Sequence, residues 1–147
     1  AKDYVEMQWL MLQQKIPKDY VIATGRTETV RKFIEICAEN LNWNPSKNGP
    51  SIIWEGEGIN EIGRRPDTNQ IVIRIDPRYF RPTEVDILIG DPSKAKKELG
   101  WEPKISLDDL IKEMICEDLK KVKEELVLKE KGFDIFSSTE SPPSYSN

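Results

Sequence analysis

The chain has 147 residues, 37% of them hydrophobic and 33% charged, which is ordinary for one globular domain with a modest core. Its net charge of -4 argues against nucleic acid as a partner, because phosphate-rich surfaces are bound by basic proteins. No apolar run approaches the ~18 residues of a membrane span, so a membrane partner is not expected either. The sequence contains no histidine, which excludes Ser-His and Cys-His catalysis and histidine metal sites within this chain.

Two cysteines, Cys37 and Cys116, lie inside helical apolar patterns. Buried free thiols are therefore expected, which fits a reducing compartment. The polar and aromatic residues at the N-terminus do not resemble a signal peptide. Together these features predict a cytoplasmic protein.

The first part of the chain predicts a helix over 3–14, with Asp3 as its cap and Val5, Trp9 and Leu12 on its apolar side. A short buried strand is predicted over 20–23. A second helix is predicted over 28–41, capped by Thr27 or Thr29. Its apolar stripe follows a helical period and consists of Val30, Phe33, Ile34, Cys37, Ala38 and Leu41.

The middle of the chain predicts strands over 52–54 and 71–75, separated by a long surface loop over 55–70. The polar, proline-bounded segment 78–82 is expected to form a loop.

A short helix over 93–99 should stop at Gly100, and a long helix over 107–129 should be capped by Ser106 with Asp109. The inward face of that long helix is predicted to consist of Leu107, Leu110, Ile111, Met114, Ile115 and Val122. Residues 137–147 are rich in Ser, Thr and Pro and are expected to be disordered.

The bottom-up fold class is thus α/β, with a small short-stranded sheet and flanking helices. Neither a complete dinucleotide fingerprint nor a phosphate-binding loop motif occurs in the sequence. Three or four strands of this length make a thin sheet that is poorly suited to standing alone.

Several segments resemble one family in the same order along the chain. They include a Trp-Leu-Met-Leu-Gln-Gln helix at 9–14, an Ala-Thr-Gly turn at 23–25 and Arg-Pro-Thr-Glu-Val at 81–85. Gly-Asp-Pro-Ser-Lys-Ala at 90–95 and Leu-Gly-Trp-Glu-Pro at 99–103 complete the series. Over roughly residues 1 to 128, the chain resembles the C-terminal part of the GDP-mannose 4,6-dehydratases, which are extended short-chain dehydrogenases/reductases.

The resemblance implies a substrate-binding portion over 1–130, a tail over 131–147 and an NADP-binding Rossmann domain that is absent from this chain. Family members convert GDP-mannose to GDP-4-keto-6-deoxymannose and water, on the route to GDP-fucose. The NADP and the catalytic Tyr-x-x-x-Lys pair would belong to the missing domain, so the fragment alone is expected to be inactive. The family also implies homo-oligomers, assembled through contacts largely outside this piece.

The candidate ligand residues are Arg81, Glu84 and, more weakly, Tyr79. The resemblance assigns Arg81 to the GDP diphosphate and Glu84 to the ribose hydroxyls. A guanidinium matches phosphate oxygens with paired hydrogen bonds, and a carboxylate accepts from a diol. The alternative is a surface ion pair between Arg81 and Glu84. For Tyr79 and Phe80, packing beneath the loop is equally open.

Other clusters are interpreted as structural. Arg78 is expected to face solvent, Arg64 and Arg65 to lie in a solvated loop, and Lys94 to stay in water with its neighbours. The carboxylates Glu55, Glu57 and Glu61 are too dispersed for a metal site, and Arg31 is expected to be structural. The three tryptophans expected in the core are Trp9, Trp54 and Trp101.

Two alternatives to the dehydratase interpretation stay open. One is another nucleotide-sugar dehydratase, reductase or epimerase of the same superfamily. The other is a catalytically silent nucleotide-sugar-binding module, which the missing Rossmann motif favours for these 147 residues taken literally.

Overall fold

A computed structural model of the chain describes residues 1–81 and 87–133. These residues form four helices and three short strands. The helices are α1 (Lys2–Leu12), α2 (Val30–Asn40), α3 (Ser93–Leu99) and α4 (Leu107–Glu130). The strands are β1 (Ile53–Glu55), β2 (Ile62–Arg64) and β3 (Ile71–Arg74). The tail predicted to be disordered, 137–147, lies outside the described residues.

The three strands form one antiparallel sheet in the order β1-β2-β3. Trp54 lies opposite Gly63, and Gly63 lies opposite Ile73. The small sheet expected from the sequence is therefore present, but the prediction of an unbroken loop over 55–70 was wrong. That stretch contains a 3₁₀ turn at Gly58–Asn60 and the central strand β2.

Glycine explains why the central strand escaped the hydrophobic pattern. A Cβ atom on Gly63 would lie 2.8 Å from Ile52 Cδ1 and 3.1 Å from Ile73 Cβ. The two isoleucines thus close over the backbone of β2, and the strand contributes no side chain of its own at this point. A strand whose middle residue is glycine gives no alternating apolar signal.

The predicted strand over 20–23 was also wrong, since these residues are not part of the sheet. The segment instead lies against Gly90, where an added Cβ would be 2.5 Å from Ala23 Cβ and 3.2 Å from Val21 Cγ1. The apolar run therefore reflects close packing between two irregular segments.

Helix α1 is fixed to the rest of the chain by Asp3. Its carboxylate Oδ2 accepts hydrogen bonds from the backbone N–H groups of Lys104 and Ile105, each at 3.0 Å. Its carbonyl oxygen accepts from Trp101 Nε1 at 2.9 Å. Asp3 was predicted to cap α1, but the helix begins one residue earlier, after Ala1, and the carboxylate serves these distant donors instead.

This attachment decides which face of α1 is buried. Met7 lies one turn after Asp3 and is fully buried with Ala95 and Trp101, and Leu10 packs against the same cluster. The predicted face was wrong: Val5 and Trp9 are each 60% exposed and Leu12 is 82% exposed. Of the three tryptophans expected in the core, Trp101 is buried, Trp54 is half-buried and Trp9 is on the surface.

The helix-end predictions for the other helices are confirmed. Thr29 caps α2 by accepting from the Lys32 N–H at 3.0 Å. Ser106 accepts from the Asp109 N–H at 3.1 Å, and its hydroxyl donates to the Asp109 carboxylate at 2.6 Å. Gly100 ends α3 with a φ of +67°, a left-handed conformation that glycine adopts readily.

The burial predicted for α2 and α4 is confirmed only in part. Helix α2 packs on α4, with Ile36, Ala38 and Ile111 buried, but Val30 is 75% exposed. Leu110, Met114 and Val122 of the predicted inward face of α4 are exposed, and from Cys116 to Glu124 every residue of the helix is open to solvent.

The cysteine prediction is also confirmed only in part. Both thiols are free, and burial raises the pKa of Cys37, which is partly buried. Cys116 is exposed, so the expectation of a buried thiol was wrong there.

We predict that Asp3→Ala lowers the free energy of unfolding by about 1–3 kcal/mol, because two backbone N–H groups lose their acceptor. Chemical denaturation followed by tryptophan fluorescence measures this change. Asp118→Ala, on the exposed part of α4, is the matched control and should change stability by less than about 0.5 kcal/mol. Equal effects of the two substitutions would contradict the role given to Asp3.

Candidate functional site

The turn Asp76–Tyr79 follows β3 and leads directly to Arg81. The Tyr79 N–H donates to the Asp76 carbonyl at 3.0 Å, which closes a four-residue turn. The Arg78 N–H donates to Asp76 Oδ1 at 2.9 Å. Aspartate at the first position and Pro77 at the second are the residues that such turns favour.

The Arg78 side chain folds back onto the same carboxylate. Its Nη2 lies 2.7 Å and its Nε 3.1 Å from Asp76 Oδ2, so the guanidinium makes a two-pronged ion pair. These hydrogen bonds hold the pKa of Asp76 below its usual range. Arg78 was expected to face solvent, and its side chain is 53% exposed. Its partner Asp76 was not singled out in the sequence, although Asp-Pro before a turn is a recognisable signal.

Arg81 and Tyr79, two of the predicted ligand residues, are on the surface. Arg81 is exposed, and Tyr79 is 62% exposed with the Arg78 guanidinium 5.5 Å from its ring centre. Phe80 is 44% exposed, so packing of the two aromatic residues beneath the loop is not what the structure has. Glu84, the third predicted ligand residue, lies outside the described residues, and its placement beside Arg81 stays a prediction.

The arginines Arg64 and Arg65 were expected in a solvated loop; this was wrong for Arg64, whereas Arg65 does lie in the loop after β2 but is half-buried. Arg64 lies on β2 and donates to Glu55 at 2.9 Å. Arg65 makes two hydrogen bonds to Asp67, at 3.0 and 2.7 Å, and lies 5.1 Å from the centre of the Trp43 ring. Both guanidinium groups are therefore committed to the packing of the sheet region.

Arg31 has the structural role that the sequence predicted. Its guanidinium lies 4.4 Å from the centre of the Trp54 ring and pairs with Glu61, which joins α2 to the sheet region. Two of the three dispersed carboxylates, Glu55 and Glu61, each form an ion pair with an arginine. Over residues 1–81 and 87–133, no group of three metal-ligating side chains occurs.

A polar cluster at the end of α1 was missed by the sequence analysis. Lys18 Nζ and the Tyr20 hydroxyl both donate to Glu98 Oε2 at 2.9 Å. These hydrogen bonds lower the pKa of Glu98. Lys94, expected to stay in water, donates to the Asp19 carbonyl at 2.8 Å and lies 4.9 Å from the centre of the Tyr20 ring. The two sides of this cluster are about 80 residues apart, so no local pattern could have revealed it.

The described residues do not form a binding site for NADP, the cofactor that the resemblance assigns to a domain outside this chain. Dinucleotides bind at the carboxyl ends of parallel strands, beside a glycine-rich turn that opens a helix. The sheet here is antiparallel, β1 and β2 are joined by a single 3₁₀ turn, and the next α-helix after β3, α3, begins only at Ser93. In the same part of the chain, no helix combines the length and apolar character needed to cross a bilayer.

These features define a small α/β unit with a three-stranded antiparallel sheet and an arginine-bearing turn at the end of its last strand. A sequence model of the family described as GDP-mannose 4,6 dehydratase matches residues 1–114. The chain therefore belongs to the GDP-mannose 4,6-dehydratase family.

Individual relatives agree with this assignment. GDP-mannose 4,6-dehydratase of Yersinia enterocolitica is 44% identical over 96% of this chain, and that of Vibrio cholerae is 45% identical over 95%. The human protein named GDP-mannose 4,6 dehydratase is 45% identical over 81% of the chain. The chain spans only 39%, 38% and 30% of the lengths of these three relatives.

We predict that Arg78→Ala raises the pKa of Asp76 towards its ordinary value of 3.8, because the ion pair is the main cause of its depression. A depressed carboxylate stabilises the turn above its unfolded pKa, and that contribution is lost as the pH falls through the lower folded pKa. In the variant, this contribution to stability should therefore be smaller, and its loss should be complete at a higher pH. The side-chain carboxyl ¹³C chemical shift of Asp76, followed against pH in the unaltered chain and in the variant, measures its pKa in each protein.

Asp67 is the internal control for this titration, since its pKa is lowered mainly by Arg65 and should not change in the Arg78 variant. An unchanged Asp76 titration would show that Arg78 does not hold this carboxylate in solution.

Proposed function

We propose that this chain is the C-terminal portion of a GDP-mannose 4,6-dehydratase and forms part of its GDP-sugar site. The observation that carries the proposal is the 44–45% identity to proteins of that name across 95–96% of the chain. The proposed reaction converts GDP-mannose to GDP-4-keto-6-deoxymannose and water.

In this proposal Arg81 binds the diphosphate and Glu84 accepts hydrogen bonds from the ribose hydroxyls. The support for Arg81 is chemical and local. Its guanidinium can give two parallel hydrogen bonds to phosphate oxygens, and its side chain is exposed two residues after an ordered turn. Tyr79, also exposed, is a further candidate for contact with the nucleotide.

The remaining parts of the enzyme are proposed to belong to a longer protein. NADP would bind to a Rossmann domain outside this chain, together with the catalytic tyrosine and lysine. By itself the chain is proposed to be inactive. The longer protein is proposed to be a cytoplasmic homo-oligomer, as the resemblance implies.

The experiment for the overall proposal is a turnover assay on the longer protein. GDP-mannose and NADP are supplied, and the loss of water from the sugar nucleotide is followed by mass spectrometry. GDP-4-keto-6-deoxymannose should form in the longer protein and not with the 147-residue chain alone. Turnover of UDP-sugars in preference to GDP-mannose would support the rival superfamily enzyme instead.

We predict that Arg81→Ala raises the KM for GDP-mannose about 10- to 100-fold, because a charge-assisted hydrogen-bonding group contributes about 1.5–3 kcal/mol. Initial rates over a range of GDP-mannose concentrations give this value. Lys97→Ala removes an exposed cation from α3 and serves as the charge-matched control, with KM expected to stay within about twofold. An unchanged KM in the Arg81 variant would reject its assignment to the diphosphate.

A further inference from the structure

The segment 20–23 has the side-chain alternation of a β-strand, although no strand pairs with it. Its first and third side chains, Tyr20 and Ile22, pack against the buried cluster to which α1 is attached. Its second and fourth side chains lie on the other side, and they are the groups that a Cβ atom on Gly90 would meet first. Successive side chains point to opposite sides when a backbone is extended. The segment is therefore an extended apolar run with contacts on both of its faces.

The backbone of this segment is unpaired. Within the part of the chain that the structure describes, residues 20–23 make no backbone hydrogen bond. The same holds for residues 87–89, which lead into Gly90 and whose apolar side chains are 56–76% exposed. We name these two stretches the open segments.

The open segments carry none of the usual protection of a free sheet edge. Natural proteins place charged residues or proline on such edges, because unpaired N–H and C=O groups accept any passing strand. Neither open segment contains a charged residue or a proline. A short apolar run with both faces in contact is typical of a strand inside a sheet. The open segments therefore fit a β-strand partner, which would bind through its main chain and cover them with apolar side chains.

The remainder of the same polypeptide is the partner that the observations favour. The chain spans 39% and 38% of its Yersinia enterocolitica and Vibrio cholerae relatives, so roughly three-fifths of a protein of that length lies outside it. The open segments are only four and three residues long, and strand pairs that short are marginal between separate molecules. A strand in the same polypeptide avoids the entropic cost of association, so a short pairing is sufficient.

We propose that the open segments receive a β-strand from the part of the longer protein outside this chain. That strand hydrogen-bonds to the main chain of residues 20–23 and buries the side chains of residues 87–89. The inference rests on the proposed function, since it takes the chain to be one portion of a longer enzyme.

The test compares amide hydrogen exchange in the 147-residue chain and in the longer protein. In the 147-residue chain, the amides of residues 21–23 should exchange within about tenfold of an unstructured peptide, because they have no acceptor. In the longer protein they should exchange at least about 100-fold more slowly. Amides within α2 are hydrogen-bonded in both proteins and are the internal control, so their change should be at least about tenfold smaller.

Leu88→Lys tests the covering of the second open segment. Leu88 is 76% exposed, so in the 147-residue chain the substitution should change the melting temperature by less than about 2 °C. In the longer protein it should lower the melting temperature by about 5 °C or more, because a charge would be buried. Val72→Lys is the matched control on β3, a strand that already has a neighbour, and its effect should be alike in both proteins.

The outcomes separate this inference from the proposed function. Unprotected amides at 21–23 in a longer protein that still converts GDP-mannose would reject the inference and leave the function in place. Protected amides in a longer protein without dehydratase activity would reject the function and support the strand. Protection that appears in the 147-residue chain and rises with its concentration would identify a second copy as the partner and overturn the inference. An equal effect of Leu88→Lys in both proteins would reject the covering of residues 87–89.

Discussion

The hydrogen bonds between Asp3 and the segment 101–105 are the interaction on which the rest of the structure depends. It connects the first helix to a segment about 100 residues away through three hydrogen bonds of 2.9–3.0 Å. Around it, Met7, Ala95 and Trp101 form the cluster that also receives α3 and the 20–22 segment. Because Asp3 accepts from Trp101 and from the 104–105 amides, the side of α1 that bears Asp3 and Met7 faces this cluster, and its other apolar side remains at the surface.

Local chemistry made part of the fold predictable. The caps Thr29 and Ser106 and the stop at Gly100 depend on neighbours three or four residues away, and each was found as expected. Two of the three strands were recognised because their isoleucines give a direct apolar signal. Helix existence was likewise predictable, since α2 and α4 carry sustained apolar periodicity.

Contacts distant in sequence decided what could not be predicted. The buried face of α1 is selected by Trp101 and the 104–105 amides, which no periodicity within the helix encodes. Strand β2 could not be recognised from the sequence, because Gly63 has no side chain to give an apolar signal and its place is filled by Ile52 and Ile73. At the candidate site, the family resemblance predicts Arg81 and Tyr79 as ligand residues, but it does not predict the ion pair of Asp76, which depends on how the Arg78 side chain folds back.

The most direct test of the central claim compares ligands on the unaltered 147-residue chain by backbone NMR. If the chain is part of a GDP-sugar site, GDP-mannose should shift the amide signals of Tyr79, Phe80 and Arg81, and UDP-glucose at the same concentration should shift them much less. Kd values of about 0.1–1 mM would be in keeping with a partial site. Equal shifts with both sugars, or shifts confined to other parts of the chain, would contradict the account.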